Sequence, residues 1–243
     1  MRINDKILAI VLKRCYNNSL KGGEITEHLF AVFDMDGVLV DSEATFKRSC
    51  ADALHEWNVF PEHEEFTPYT GMGDVLYIGE VAKAHGVPFT PAMQERAYAL
   101  YGEYAKETLT VFPWSREVLM SLHDNGIEMC VASSAGLFKV ETNLRCVGVE
   151  LDIFKTIISG DEVEKKKPAP DIFLKAAEKS DIAPSRCLVF EDAVSGVMAA
   201  KAAGMNCAAV TTSFSREKLL SAGADFVCND LKDAVTLFFD IKF

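Results

Sequence analysis

The sequence lacks the cysteine spacings of a zinc site or a redox motif, and it lacks a long apolar run. Its seven cysteines form no C-x-x-C pair and no metal-like spacing with histidine. Most of them lie in or beside apolar segments that resemble strands: Cys130, Cys187, Cys207 and Cys228. We interpret these cysteines as small core residues of a protein in a reducing compartment, so we expect a cytoplasmic protein. No window is long enough to span a bilayer, so we expect no membrane partner.

Basic residues are also scarce. The chain has 25 Lys and Arg against 36 Asp and Glu, a formal net charge of −11. This balance argues against nucleic acid as a partner, and a phosphate-bearing ligand would have to be held by a local group of residues. Nearly half of the 243 residues are hydrophobic, which is enough for one medium domain or for a core with a smaller insert.

The N-terminal extension, residues 1–28, carries a short apolar run, ILAIVL at 7–12, between basic residues. This arrangement only partly resembles a signal peptide, because charges follow the run at once and no small-residue cleavage pattern is present. Four apolar residues fall on one helical face: Ile3, Ile7, Ile10 and Val11. We therefore predict a peripheral amphipathic helix, with a targeting segment as the alternative.

Strand-like apolar runs alternate with helical patterns through much of the chain. The runs are LFAVFD (29–34), IEMCVAS (127–133), TIIS (156–159), CLVFE (187–191), NCAAVTT (206–212) and DFVC (225–228). This alternation predicts an α/β fold, a Rossmann-like parallel sheet with helices on both faces. The ligand site of such a sheet lies at the carboxyl ends of its strands.

One interval, residues 43–109, interrupts the alternation with helical patterns alone. Prolines punctuate it: Pro61, Pro68, Pro88 and Pro91. We predict that 43–109 is a small all-helical cap domain, inserted between the two parts of a catalytic core at 29–42 and 110–243. A helical lobe that begins beside the presumed site is well placed to act as a lid.

Four short polar motifs fall at strand ends or in the loops that follow. They are DMD (34–36), SS (133–134), KKKPAPD (165–171) and ED (191–192). Each alone has a simple structural explanation, as a turn, a helix cap or a solvated charge run. Together, however, they would bring Asp34, Asp36 and Asp192 to one sheet edge.

Three carboxylates at one edge would repel one another strongly unless a positive charge is present. The candidates are a lysine and a divalent cation, and a few carboxylates with open positions suit Mg²⁺ better than Ca²⁺. A lysine beside a metal and a hydroxyl group makes an anion site. This combination is what phosphoryl transfer to a carboxylate requires.

With these motifs, the sequence resembles the haloacid dehalogenase superfamily from about Phe30 to Val227. The helical insert after the first motif, together with KPAPD and FEDAVSG, is similar to its phosphatase and β-phosphoglucomutase subgroup. The resemblance implies a Mg²⁺-dependent phosphatase that hydrolyses a small phosphorylated metabolite, a sugar phosphate, through an aspartyl-phosphate intermediate. We expect this enzyme to be a monomer.

The resemblance also implies roles for individual residues. Asp34 would be the nucleophile and Asp36 the general acid and base, while Lys167 would bridge Asp34 and the phosphoryl group. Ser133 would bind a phosphoryl oxygen, helped by backbone N–H groups near Ser134 and Met35. The metal ligands would be Asp34, the backbone carbonyl of Asp36, Asp192 and, in support, Glu191.

Two residues of the cap are candidates for contact with the substrate. Gly71 belongs to the loop GMGD (71–74), which would descend toward the site. Lys47 lies on the first cap helix, where a solvent-facing position is the alternative interpretation.

The same subgroup contains mutases, and the alternative function is a β-phosphoglucomutase-like phosphosugar mutase. Such proteins have an arginine after the glycine of the cap loop and a histidine in the hinge helix. This sequence has Asp74 and Phe46 at the matching positions, and both departures favour a phosphatase. A non-catalytic phosphoacceptor module or binding protein is a third alternative, although all four motifs are intact.

Overall fold

The structure is a computed structural model, and it describes residues 29–69, 73–241 and 243. The amphipathic helix predicted in residues 1–28 and the substrate contact predicted at Gly71 lie outside the described residues. Within the described part of the chain, none of the helices combines the length and apolar character that crossing a bilayer requires.

A six-stranded parallel sheet forms the centre of the molecule. The strands of the described chain are β1 (Phe30–Phe33), β2 (Val40–Asp41), β3 (Thr110–Val111), β4 (Met129–Ala132), β5 (Thr156–Ile158), β6 (Cys187–Glu191), β7 (Asn206–Val210) and β8 (Phe226–Cys228). The sheet has the order β5-β4-β1-β6-β7-β8, and every pairing in it is parallel. The chain leaves β1 toward β4 and later returns to β6 on the other side, so the topological switch point lies beside β1.

Helices cover both faces of this sheet. The helices of the described chain are α1 (Glu43–Leu54), α2 (Asp74–Ala84), α3 (Pro91–Thr108), α4 (Ser115–Asp124), α5 (Leu137–Val147), α6 (Asp171–Ser180), α7 (Val194–Ala202), α8 (Arg216–Ser221) and α9 (Leu231–Phe239). Along β1, Ala31 and Phe33 pack with α4, α5 and α9, whereas Phe30 and Val32 pack with α6, α7 and α8. Because successive side chains of a strand point to opposite faces, a strand covered on both sides is apolar throughout. The predicted α/β fold with a parallel sheet is confirmed.

Helices α1, α2 and α3 enclose an apolar core of their own. Phe46, Phe66, Tyr77 and Tyr101 are its largest buried rings, and Phe46 packs against both tyrosines. A short antiparallel ribbon, β2 paired with β3, lies where the chain enters and leaves these helices. The helical character of this interval agrees with its sequence pattern, and the domain boundaries drawn from that pattern stay a prediction.

One contact between this helical region and the rest of the chain is buried. The hydroxyl group of Tyr101 on α3 donates a hydrogen bond to Asn143 Oδ1 on α5, and both residues have no exposed surface. Nearby, the rings of Tyr98 and Phe138 stack with their centroids 5.7 Å apart. Helix α3 therefore rests on α5, the helix that follows the SS motif.

Candidate active site

The sheet topology brings three of the motifs to one edge. Strand β1 lies between β4 and β6, and the three strands run parallel. Asp34 follows β1, Ser133 follows β4, and Glu191 is the last residue of β6. All three residues are buried, so their polar side chains need partners inside the protein.

A buried lysine from the KKKPAPD motif joins two of the carboxylates. Lys167 Nζ lies 2.6 Å from Asp34 Oδ1 and 2.7 Å from Glu191 Oε1. Burial lowers the pKa of Lys167, but the charges of Asp34 and Glu191 more than offset this and raise it above its usual range. Lys167 is therefore a fixed positive charge beside the proposed nucleophile.

Glu191 is held by donors at both of its carboxylate oxygens. Besides Lys167 at Oε1, the backbone N–H groups of Asp192 and Ala193 donate to Oε2 at 2.8 and 2.9 Å. These bonds fix the carboxylate over the start of α7. This geometry agrees with a supporting position for Glu191, and its expected role in a metal site stays a prediction.

The acidic cluster has the chemistry of a divalent-cation site. Oxygen atoms of Asp34, Glu191 and Asp192 all lie within 4.8 Å of one another, and all three residues are buried. Burial and the neighbouring carboxylates raise the pKa of Asp34 to about 7 and that of Asp192 to about 8, although Lys167 opposes both shifts. Lys167 alone therefore does not offset the cost of burying these carboxylates in their ionised form. A second positive charge with hard oxygen ligands, such as Mg²⁺, fits this donor set.

Asp36 lies at the same edge but has a different set of partners. Its Oδ1 atom accepts hydrogen bonds from the backbone N–H of Ser42 at 3.2 Å and from the Ser42 hydroxyl group. Its Oδ2 atom lies 3.4 Å from Lys139 Nζ. The side chain is 40% exposed, so Asp36 is open to solvent, unlike the buried carboxylates of the cluster.

Lys139 is a site residue that the sequence analysis missed. Its side chain is 8% exposed, and its Nζ lies 4.5 Å from the ring centroid of Phe46 on α1. Burial lowers the pKa of Lys139, but the charges of Asp36 and Asp74 raise it above its usual range. A signal was available in the sequence, because Lys139 lies in the first turn of α5, where the helix dipole disfavours a positive charge.

Three further candidates, the predicted phosphate-binding residues, lie in the segments that follow β1 and β4. Ser133 is buried, and its Oγ atom accepts a hydrogen bond from the backbone N–H of Ala135 at 3.2 Å. Ser134 follows it in the same loop. Met35 packs in the core, while its carbonyl oxygen accepts from the backbone of the turn after it. Their expected contacts with phosphate stay predictions.

Lys47 has a partner on its own helix, α1, and another in the segment between α1 and α2. Its Nζ atom lies 3.5 Å from Glu43 Oε1 and 3.5 Å from Thr67 Oγ1. The side chain is 18% exposed, so it is less open to solvent than the charge pattern suggested. Contact of Lys47 with a substrate stays a prediction.

A parallel α/β sheet with a buried carboxylate and lysine cluster at its switch point is typical of a phosphate-processing hydrolase. Residues 31–210 match the family model described as haloacid dehalogenase-like hydrolase. The match covers more than half of the chain, so this protein belongs to the haloacid dehalogenase-like hydrolase family. The predicted family is confirmed.

Curated relatives agree with this family. Protein SUPPRESSOR OF QUENCHING 1, chloroplastic, from Arabidopsis thaliana is 41% identical over 204 residues, which are 82% of this chain and 19% of that protein. The chain thus spans about a fifth of this much longer relative. Hexitol phosphatase B from Escherichia coli is 29% identical over 180 residues, 73% of this chain and 81% of that protein. Family membership confirms the predicted class of enzyme, a hydrolase with relatives named as phosphatases.

A solved structure shares the same architecture. The crystal structure of CbbY from Rhodobacter sphaeroides in complex with phosphate superposes with a TM-score of 0.69 at 26% identity. The similarity covers 84% of this chain and 94% of that one.

Proposed function

We propose that this protein is a Mg²⁺-dependent phosphatase that hydrolyses a small phosphorylated metabolite, a sugar phosphate, through an aspartyl phosphate formed on Asp34. The observation that carries the proposal is the position of Lys167, whose Nζ lies 2.6 Å from Asp34 Oδ1 inside a buried cluster of three carboxylates. A carboxylate attacks an anionic phosphate only when positive charge reduces the repulsion. Lys167 supplies one such charge at the nucleophile.

In the first half-reaction, an oxygen of Asp34 attacks phosphorus and the bond from phosphorus to the substrate oxygen breaks. Asp36 donates a proton to that leaving oxygen, so the alcohol departs neutral. Lys167 stays protonated and offsets the negative charge on the phosphoryl oxygens. Ser133, with the backbone N–H groups of Ser134 and Met35, binds those oxygens.

In the second half-reaction, Asp36 takes a proton from a water molecule that attacks the phosphorus of the aspartyl phosphate. The bond between phosphorus and the Asp34 oxygen breaks, which releases inorganic phosphate and regenerates both carboxyl groups in their starting states. The same residue therefore acts first as an acid and then as a base. Its partners Ser42 and Lys139 hold the two carboxylate oxygens of Asp36 near the start of α1.

Asp34, the backbone carbonyl of Asp36 and Asp192 would hold the Mg²⁺ ion, with Glu191 in support. When bound, the ion supplies positive charge for the phosphoryl oxygens. The raised pKa values of Asp34 and Asp192 support this assignment, because burial and the neighbouring carboxylates disfavour their ionised forms and a bound cation would favour them.

We assign residues 43–109 to a cap domain that excludes water and contacts the body of the substrate. Gly71 and Lys47 are the candidate contact residues. A hydrolase is favoured over a mutase by Asp74, whose Oδ2 atom accepts a hydrogen bond of 2.6 Å from the Tyr98 hydroxyl group. A carboxylate there would repel the second phosphate of a mutase substrate. Phe46, at the position of the mutase histidine, packs in the apolar core of the cap.

The remaining assignments follow from the sequence. We propose a monomer in the cytoplasm with a small-molecule partner, while the much longer relative from Arabidopsis thaliana is named as chloroplastic. Fractionation of tagged protein and light scattering of the purified chain test these two assignments.

The proposed function is tested by phosphate release from p-nitrophenyl phosphate and a panel of phosphorylated metabolites, with Mg²⁺ and with EDTA. We expect Mg²⁺-dependent turnover with sugar phosphates among the preferred substrates. The Asp192→Asn variant tests the metal dependence separately, since it removes one charge of the cluster and leaves Asp34 and Asp36 in place. Folded wild-type protein that releases no phosphate from any substrate would overturn the proposal.

A further inference from the structure

The loop after β7 contacts one residue of the proposed metal site and the turn after the DMD motif. The hydroxyl group of Ser213 donates a hydrogen bond to Asp192 Oδ2. The hydroxyl group of its neighbour Thr212 donates to the backbone carbonyl of Gly37, in the turn after the DMD motif. The loop follows none of the four motifs, and sequence analysis gave it no role.

The Asp192 carboxylate also lies close to the backbone of the turn after the DMD motif. A Cβ atom at residue 37 would lie 1.8 Å from Asp192 Oδ2, so only glycine leaves room for the carboxylate. Gly37 also has a φ of +79°, which glycine adopts without strain. Asp192 Oδ2 therefore lies against the Gly37 backbone and accepts a hydrogen bond from the hydroxyl group of Ser213.

The exposure of the two partners differs sharply. Asp192 is 4% exposed, whereas Ser213 is an exposed residue. Ser213 thus lies outside the core, and it contacts the site through its hydrogen bond to a buried carboxylate. A donor at Oδ2 fixes the rotation of the carboxylate about its Cβ–Cγ bond, and so fixes where Oδ1 points.

We propose that Ser213 is a positioning residue that orients Asp192 for the divalent cation. The inference rests on the proposed Mg²⁺ site and adds to it a residue outside the four motifs. Hydrogen bonds to metal-binding carboxylates set their orientation, and removal of such a partner typically weakens metal affinity by about 10- to 100-fold. Ser213 therefore governs how tightly Mg²⁺ is bound rather than the chemistry at Asp34.

The test is a Mg²⁺ titration of the full-length protein by calorimetry and by the Mg²⁺-induced rise in Tm. We expect Ser213→Ala to raise the Kd for Mg²⁺ about tenfold, while kcat at saturating Mg²⁺ stays near the wild-type value. Ser213→Thr, which keeps a hydroxyl group, should bind Mg²⁺ about as tightly as wild type. Ser213→Val, which has nearly the shape of the Thr variant but no hydroxyl group, should not. Ser215→Ala is the matched control, because Ser215 lies in the same loop and its side chain makes no capping hydrogen bond to α8.

The outcomes separate this inference from the proposed function. If wild-type protein binds Mg²⁺ and both Ser213→Ala and Ser213→Val bind it equally well, the positioning role is wrong while the metal site stands. If folded wild-type protein binds no Mg²⁺, the metal site itself is wrong and this inference falls with it. The Thr and Val variants decide the question even if the Ala variant fails to fold.

Discussion

The carboxylate of Glu191 occupies the space in which a Cβ atom on residue 196 would lie. Such a Cβ atom would be 1.6 Å from Glu191 Oε1, the oxygen that accepts the hydrogen bond from Lys167. Helix α7 therefore approaches the end of β6 closely only because residue 196 has no side chain. Gly196, the last residue of the FEDAVSG segment, therefore supports the site through its lack of a side chain.

The first prediction follows directly: Gly196→Ala should impair the enzyme. Alanine at an interior helical position normally stabilises a helix by about 0.5–1 kcal/mol relative to glycine. Here we expect destabilisation by about 1–3 kcal/mol, typical of overpacking, and a fall in kcat of about 10²-fold because Glu191 and Lys167 are displaced. Denaturant unfolding and steady-state kinetics measure the two effects.

Gly102→Ala is the control for this comparison. Gly102 lies within α3, and its Cβ atom would approach only the ring end of Phe138, an exposed and movable side chain. We expect this variant to be neutral or slightly stabilised. Equal behaviour of the two variants would show that the space over Gly196 is not restricted.

The stability of the metal-free protein should depend on pH through the acidic cluster. Asp34 and Asp192 have pKa values raised to about 7 and about 8, above those of an unfolded chain. The folded protein therefore binds more protons than the unfolded chain between about pH 4 and pH 8, so these two groups make stability fall as pH rises through this window. Mg²⁺ should offset this loss, and its effect should be greatest where both carboxylates are ionised.

The measurement is the Tm with Mg²⁺ minus the Tm with EDTA, at pH 6 and at pH 8. Taking the difference at each pH removes most of the contribution of groups remote from the cluster. We expect a larger Mg²⁺-induced rise at pH 8 and little rise in Asp192→Asn at either pH. A rise of the same size at both pH values would contradict the assignment of these carboxylates.

The buried hydrogen bond between Tyr101 and Asn143 should stabilise the contact of α3 with α5. Tyr101→Phe leaves the Asn143 oxygen buried without this donor, which typically costs about 1–3 kcal/mol. Tyr104→Phe is the control on the same helix. The Tyr104 hydroxyl group donates a hydrogen bond of 2.9 Å to Asp52 Oδ2 on α1, and Tyr104 is partly exposed. Thermal unfolding should show a larger loss of stability for Tyr101→Phe than for Tyr104→Phe. Equal losses of stability would argue against the buried hydrogen bond as a distinct source of stability.

Asp36→Asn should separate the two half-reactions. With p-nitrophenyl phosphate the leaving group needs little protonation, so the aspartyl phosphate should still form. Its hydrolysis needs a base, so rapid quench should record a burst of p-nitrophenol stoichiometric with enzyme, then turnover at least about 10²-fold slower than wild type. A linear time course at the wild-type rate would exclude Asp36 as the acid and base.

Much of the fold could be predicted from local patterns. Each predicted apolar run contains a strand of the sheet, because strands buried on both faces are continuously apolar. The meeting of Asp34, Ser133 and Glu191 also follows from the sequence, since the ends of neighbouring parallel strands share one edge.

Other features depend on side chains that reach between distant segments. Lys139 lies on α5, the helix that follows the SS motif, and contacts Asp36, which is 103 positions away along the chain. Ser213 contacts Asp192 from a loop with no motif of its own. No periodicity encodes such pairs, although the lysine in the first turn of α5 was a local signal of unusual surroundings.

The central claim is that Asp34 carries the phosphoryl group, and peptide mass spectrometry after a rapid quench tests it most directly. Asp36→Asn enzyme is mixed with p-nitrophenyl phosphate and Mg²⁺, quenched in acid and digested. The account predicts a phosphoryl adduct on the peptide that contains Asp34, no adduct in a variant that also carries Asp34→Asn, and a loss of turnover of about 10³-fold or more in Asp34→Asn alone. An adduct on another residue, or wild-type turnover by folded Asp34→Asn, would contradict it.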